Sequence, residues 1–264
     1  TYNDGTNTAV ENPIVKIGLP GETGIMTQFF YQAGTTLFAS ELLEIQQWGT
    51  KHLFSAFNVM DATQVQLTAE DTPNVTGGGL EFAFEGCSAF TGNSSMNSWD
   101  TSNITSLKRT FFQCSNFNQD LYNWDTSNVT NFTSAFYENV RFNGNINGWD
   151  FTSGTGMTYF LYRARQFNQP VNNWNLGGAL KVATFMMEDA ISFNQDISAW
   201  DVSKITNASH MLDATKVVTG LSSWQFTNAT TLYRMLFTQT RFNEDIGNMG
   251  LGANLTDMRF MLYG

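Results

Sequence analysis

Basic residues are scarce in this sequence. There are 13 Lys and Arg against 23 Asp and Glu, charged residues make up only 14%, and the net charge is −10. A nucleic-acid groove needs clustered Lys and Arg to displace counterions, and an anionic membrane surface needs the same, so both partner classes are disfavoured. Histidine is limited to His52 and His210, with no Cys or His at ligand spacing, which argues against a His-based catalytic pair or a zinc site. Only two cysteines occur, Cys87 and Cys114, too few for a disulfide framework. No apolar run reaches transmembrane length, and the sequence shows no basic-then-apolar leader; because it starts at Thr1 and not at Met, the expectation is that a leader has been removed or that the chain is a piece of something longer. The glycines of "TGGGL" (76–80) match no nucleotide-binding fingerprint. Direct membrane insertion, cofactor binding and catalysis therefore have no motif to rest on.

What the sequence does contain is repetition. At 264 residues and 42% hydrophobic content the chain can bury a large core. Trp99, Trp124, Trp149 and Trp174 are each 25 residues apart; Trp200 follows after 26, Trp224 after 24, and Met249 continues the column. Upstream, Trp48 and Glu70 occupy the corresponding places at less regular intervals. Three residues before each stands an aliphatic: Ile45, Leu67, Met96, Leu121, Ile146, Val171, Ile197, Leu221 and Ile246. An aromatic precedes that by four in most units, as at Phe117, Phe142, Phe167, Phe193 and Phe242. After the tryptophan come Asp100, Asp125, Asp150 and Asp201, with Asn175 and Gln225 as substitutes.

A second apolar pattern follows, Val129, Phe132, Ala135 and Phe136 in one unit and Ile205, Ala208, Met211 and Leu212 in another. These offsets predict one face of a short helix, with Thr130 and Thr206 near its first amides. Each unit then reads as a short strand near "DLYNW", a turn at "DTSN" and a short helical segment. One unit cannot bury its own apolar residues, whereas stacked units share a continuous core. The expected fold is an α/β repeat solenoid, with short parallel strands on one face and short helical segments on the other. Residues 1–37 are expected to cap the first coil. Residues 38–264 are expected to form about nine units of about 25 residues, and the apolar "MRFMLYG" suggests that the solenoid continues or is covered beyond 264.

The wording "FNQDxSxWDxSxxTN" resembles the repeat of BspA-like leucine-rich-repeat surface proteins, the DUF285 type also described in mycoplasma lipoproteins, over about residues 38–264. The resemblance implies a leucine-rich-repeat-like right-handed coil displayed outside the cell, on a cell or virion surface, in an adhesive or recognition role and not as an enzyme.

Several columns carry two readings. The Asp column offers calcium ligands, but Asp before Thr-Ser-Asn is also good turn chemistry. The Trp column offers a carbohydrate platform, but keeping step with the Ile and Phe columns points to the core. A threonine column, broken at Leu180, suggests capping more than ice binding. Cys87 and Cys114 share a column with Ala164 and Ala190, which fits small buried residues and leaves a disulfide between neighbouring coils geometrically open. The positions between aliphatic and tryptophan are polar: Tyr122, Asn123, Asn147, Asn172, Asn173, Ser198, Ser222 and Ser223. They form either a ligand face or an ordinary solvated face. The partners expected are a host or matrix protein, a glycan, or copies of the chain itself; no catalytic residue, metal ligand or cofactor is expected. The alternative role is a structural subunit of a fibre, appendage or virion joined through the solenoid ends.

Overall fold

In a computed structural model of the chain, the described residues are 57–264 except 218, 240 and 241, together with 29–31, 44–45, 48 and 53–54. The expected cap over 1–37 lies outside them, apart from one strand.

Regular secondary structure is sparse. The strands are β1 (Phe29–Tyr31), β2 (Glu44–Ile45), β3 (Leu53–Phe54), β4 (Phe57–Val59), β5 (Gln66–Leu67), β6 (Asn74–Val75), β7 (Gln225–Phe226) and β8 (Gly250–Leu251). They form parallel pairs β1·β4, β2·β5, β3·β6 and β7·β8. Between these pairs, single parallel bridges run from Ser106 to Asn131, and on through Gly156, Val182, Asn207 and Thr231 to Asp257. Each step joins one unit of the repeat to the same position in the next. The units are therefore coils lying side by side, and a sequence column is a line of spatial neighbours.

The segments predicted to be helical take a different course. Among the described residues the only helix is a short 3-10 turn, Ser94–Ser98. In coil 100–124, Leu107, Arg109, Phe111 and Gln113 donate their N–H groups forward to the carbonyls of Asn131, Thr133, Ala135 and Tyr137, at 2.7–3.0 Å. Between them, Thr110, Phe112 and Cys114 donate back three residues, to Leu107, Arg109 and Phe111, each at 3.2 Å. This alternation needs left-handed residues four apart, and they recur in register: Arg109 and Gln113, Ser134 and Glu138, Tyr159 and Arg163, Phe185 and Asp189, with φ of 54–61°. A non-glycine residue pays about 1 kcal/mol for that conformation. The inter-coil hydrogen bonds it releases offset the cost, at about 0.5–1.5 kcal/mol each. A run of fused turns brings residues inward at spacings of three and four, as a helix does, while freeing every second amide for the next coil. The apolar spacing thus has two solutions, and only one of them ties coils together.

The interior is built of ring ladders. Phe90, Phe117, Phe142, Phe167 and Phe193 stack at centroid spacings of 5.8–6.0 Å. Phe84, Phe111 and Phe136 form a second column at 5.4–5.6 Å. Trp99 stacks on Trp124 and Trp124 on Trp149 at 6.0 Å, and Trp174, Trp200 and Trp224 continue at 5.6 and 6.0 Å. Phe151 joins this column, 6.2 Å from Trp149 and 5.0 Å from Trp174. The tryptophans also fix register: the indole N–H of Trp124, Trp149, Trp174, Trp200 and Trp224 donates to the carbonyl of Met96, Leu121, Ile146, Val171 and Ile197 in the preceding coil, at 2.6–3.1 Å.

The asparagine of each Phe-Asn pair does the same on the rim. The side-chain oxygens of Asn118, Asn143 and Asn168 accept the backbone N–H of Asn143, Asn168 and Asn194, at 2.7–2.9 Å. Cys87 and Cys114 are free, buried thiols that donate to the carbonyls of Val59 (3.1 Å) and Phe84 (2.8 Å). Burial pushes both well above the usual thiol range, Cys87 to about 12. No helix of the described residues is long and apolar enough to cross a membrane.

Candidate binding face

The segment between aliphatic and tryptophan, predicted to be a strand, is a tight turn. The N–H of Trp124, Trp149, Trp174, Trp200 and Trp224 donates to the carbonyl of Leu121, Ile146, Val171, Ile197 and Leu221, at 3.0–3.1 Å. Both flanking residues are buried. In a strand, residues three apart face opposite sides, so burying both in one core requires the chain to reverse between them. The two residues in the middle of the turn are pushed outward.

All eight sequence-predicted face residues occupy those turn positions. Tyr122, Asn123, Asn172, Asn173, Ser198 and Ser223 are exposed, while Asn147 and Ser222 are half-buried. Because the turns are stacked, the structure brings the eight into one row along a corner of the coils. Neighbouring members cross-link: Asn147 Nδ2 donates to Asn172 Oδ1 (3.2 Å), the Asn173 N–H to Asn147 Oδ1 (3.1 Å), and Ser223 Oγ to the Ser198 carbonyl (3.2 Å). Tyr122 stands out of the row with 45% of its surface exposed. Beside it lies an open cavity of about 340 Å³, lined by Tyr122, Asn147, Trp149, Asp150, Asn173 and Asn175 among others. Gly148 shapes this cavity, since a Cβ there would collide with the Tyr122 carbonyl. An aromatic ring beside convergent amides and one carboxylate can stack on an apolar face and hydrogen-bond a polar rim.

The neighbouring columns have local duties. Asp100 and Asp125 each accept the amide and hydroxyl of Ser102 and Ser127, at 2.6–3.1 Å. Those bonds hold both carboxyls below the usual carboxylate range. Asp150 and Asp201 accept the amides of Thr152 (2.8 Å) and Ser203 (2.9 Å). The threonine column runs Thr105, Thr130, Thr155, Thr206, Thr230 and Thr256 and is interrupted at Lys181 instead of Leu180; the hydroxyls from Thr130 onward donate to the carbonyl of the preceding coil at 3.0–3.2 Å.

One cluster has no counterpart in the sequence reading. On the turn-ladder side, His210 Nδ1 lies 3.1 Å from Asp213 Oδ2 and 3.2 Å from Glu188 Oε2. Phe185 stacks on the imidazole at 4.4 Å, and Arg234 approaches Asp213 at 3.6 Å. Burial, with the Asp213 carboxylate behind it, pushes the Glu188 carboxyl up to about 7. Burial also raises Asp213 and lowers His210, though less completely because each supports the other's charge. Glu188 and Asp213 are 25 residues apart, so aligning the columns is the signal that finds them.

These features define a repeat protein of stacked parallel coils, with a buried aromatic interior and a row of polar turn residues along one corner. The chain belongs to the DUF285 family: a family model described as Mycoplasma protein of unknown function matches residues 78–185 and 179–264. No curated protein and no solved structure matches it.

Proposed function

We propose that the chain is a leucine-rich-repeat-like solenoid of the BspA-like type, acting outside the cell as a non-catalytic adhesion or recognition protein whose ligand face is the corner row. The observation that supports this reading most is the cavity beside Tyr122, where an exposed ring meets the amides of Asn147, Asn173 and Asn175. A half-exposed aromatic with a ring of amides suits weak, multivalent contact with a glycan or with a host or matrix protein. The test is a glycan and matrix-protein binding screen with the intact chain and with Tyr122→Ala and Asn173→Ala. Binding that falls at least tenfold in either variant supports the proposal. Binding that is absent, or indifferent to both changes, removes it.

A second reading has its own observation. In coil 225–249 and beyond, Leu232, Arg234, Leu236 and Thr238 donate forward to the carbonyls of Asp257, Arg259, Met261 and Tyr263. The equivalent positions of the last coil, Met258, Phe260 and Leu262, are 41–52% exposed, next to Tyr263 at 63%. They border an apolar cavity of about 420 Å³ with Met249 and Leu251. An apolar edge with this spacing suits stacking on a coil of a second copy, as in a structural subunit of a fibre, appendage or virion. Light scattering across a concentration series tests it: concentration-dependent growth abolished by Leu262→Asp supports the reading, and a monomer at all concentrations contradicts it.

A further inference from the structure

We infer that Glu188, His210 and Asp213 form a binding site for one divalent transition-metal ion of the zinc class, bridging coils 175–200 and 201–224. The three side chains offer His210 Nδ1, Asp213 Oδ2 and Glu188 Oε2, and these atoms all lie within 4.8 Å of one another. The two distances to Nδ1, 3.1 and 3.2 Å, are close to the spacing of adjacent ligands around a tetrahedral ion with bonds of about 2.0–2.2 Å.

The cluster is poorly satisfied without an ion. A neutral imidazole has at most one proton on Nδ1, and the hydrogen bond in the structure joins Nδ1 to Asp213 Oδ2. Glu188 Oε2 is buried, sits beside the same nitrogen and has no hydrogen-bond partner. A buried carboxylate oxygen without a donor costs more than its share of a hydrogen bond returns. A cation at the centre would engage all three lone pairs at once.

The surroundings are those of a positioned site. Asp213, with 4% of its side chain exposed, is held from behind by Thr238 Oγ1, which donates to Oδ1 at 3.2 Å. His210 is 12% exposed and fixed by the Phe185 ring. The other charged groups nearby are Arg234, 3.6 Å from Asp213, and Asp189, which is engaged by Arg163 and Arg165 at 3.7 and 2.8 Å. Arg234 opposes the ion and weakens the site. Three protein ligands leave a coordination position for water. One imidazole with two carboxylates selects a borderline ion over calcium, which takes six to eight oxygens. The ion would act as a staple between two coils.

The test uses the whole chain after EDTA treatment, titrated with Zn²⁺ by calorimetry and with Co²⁺ by visible absorption. One ion per chain is expected, with a raised melting temperature, a movement of the His210 ring nitrogen signal assigned to Nδ1, and no comparable effect of Ca²⁺. Glu188→Gln, which removes a crowded charge and is expected to fold, should lower the affinity at least tenfold, as should His210→Ala and Asp213→Asn. Arg234→Gln should raise it. The proposal is overturned if Zn²⁺ leaves both the melting temperature and the Nδ1 signal unchanged, if Glu188→Gln binds as tightly as the native chain, or if Ca²⁺ gives the same response.

Discussion

Coils 125–149 and 225–249 share the spacing of the repeat but live differently. Trp149 is 1% exposed, stacked on Trp124 and hydrogen-bonded through its indole to Leu121. Met249, in the same column, is 9% exposed, carries no indole donor and borders residues that face outward. The difference lies in the neighbours. An inner coil is buried by the coils on both sides, and its columns become ladders; the column positions of coil 225–249 lie beside side chains that face outward. Burial in this molecule is a property of the stack more than of the segment, as nearest-neighbour coupling in repeat proteins leads one to expect.

The largest effect should come from removing a ladder ring. Trp149→Ala is expected to cost about 3–5 kcal/mol, as large-to-small core changes do, and Met249→Ala no more than about half of that. Urea denaturation measures both, and equal losses would erase the contrast between inner and outer coils.

An inner coil also contains one misfit. Asn139 is fully buried in the column of Cys87, Cys114, Ala164 and Ala190, and neither its side-chain oxygen nor its nitrogen has a hydrogen-bond partner. Asn139→Ala should therefore stabilise the chain by about 1–3 kcal/mol, the penalty of an unpaired buried amide. A loss of stability on the same urea curve would mean that the amide has a partner this account lacks.

A subtler contrast separates two tryptophans. Trp99 Nε1 is buried without an acceptor, at the point where the regular ladder follows the irregular coil marked by Glu70. Trp149→Phe forfeits a hydrogen bond and should cost about 1 kcal/mol more than Trp99→Phe, where no bond is lost. Thermal melts of the two variants side by side would show it.

A last effect is on pH. The folded-state carboxyl of Glu188, raised to about 7 from its ordinary 4.5, holds a proton that the unfolded chain releases. That contribution is fully present below about 4.5 and is lost as the pH rises through about 7. In EDTA, the stability of the native chain relative to Glu188→Gln should therefore increase from pH 7.5 to pH 5. His210, lowered by burial, acts in the opposite sense, and Asp213, raised by burial, in the same sense as Glu188. A relative stability that is flat or falls toward pH 5 would contradict the assignment.

Much of this architecture is legible in the sequence because every coil repeats the same contacts. The columns of Trp, Phe and aliphatic residues are lines of touching neighbours, so their spacing can be read without coordinates. Two local conformations were not legible. Apolar spacing of three and four does not distinguish a helix from fused turns, since both bring Leu107, Phe111 and Cys114 inward. The strand expected between Leu121 and Trp124 could have been questioned, because burial of both ends is incompatible with a two-residue period. The outward place of the eight polar residues was legible because positions between two buried columns are turned away from the core, fully for six of them and in part for Asn147 and Ser222. Glu188, His210 and Asp213 were missed because their proximity appears only when coils are laid side by side, and looking along the chain for ligand spacing does not do that.

Side-by-side stacking of the coils can be measured by spin-label distances along the column just before the tryptophans, with Cys87 and Cys114 replaced by alanine. Pairs at Ser98 and Ala199, and at Ser98 and Ser223, are four and five coils apart. Parallel coils at a spacing of about 4.8 Å predict label separations near 19 and 24 Å, narrow and rising by one coil spacing between the two pairs. Broad distributions, or a Ser98–Ser223 distance no longer than Ser98–Ala199, would contradict a side-by-side stack.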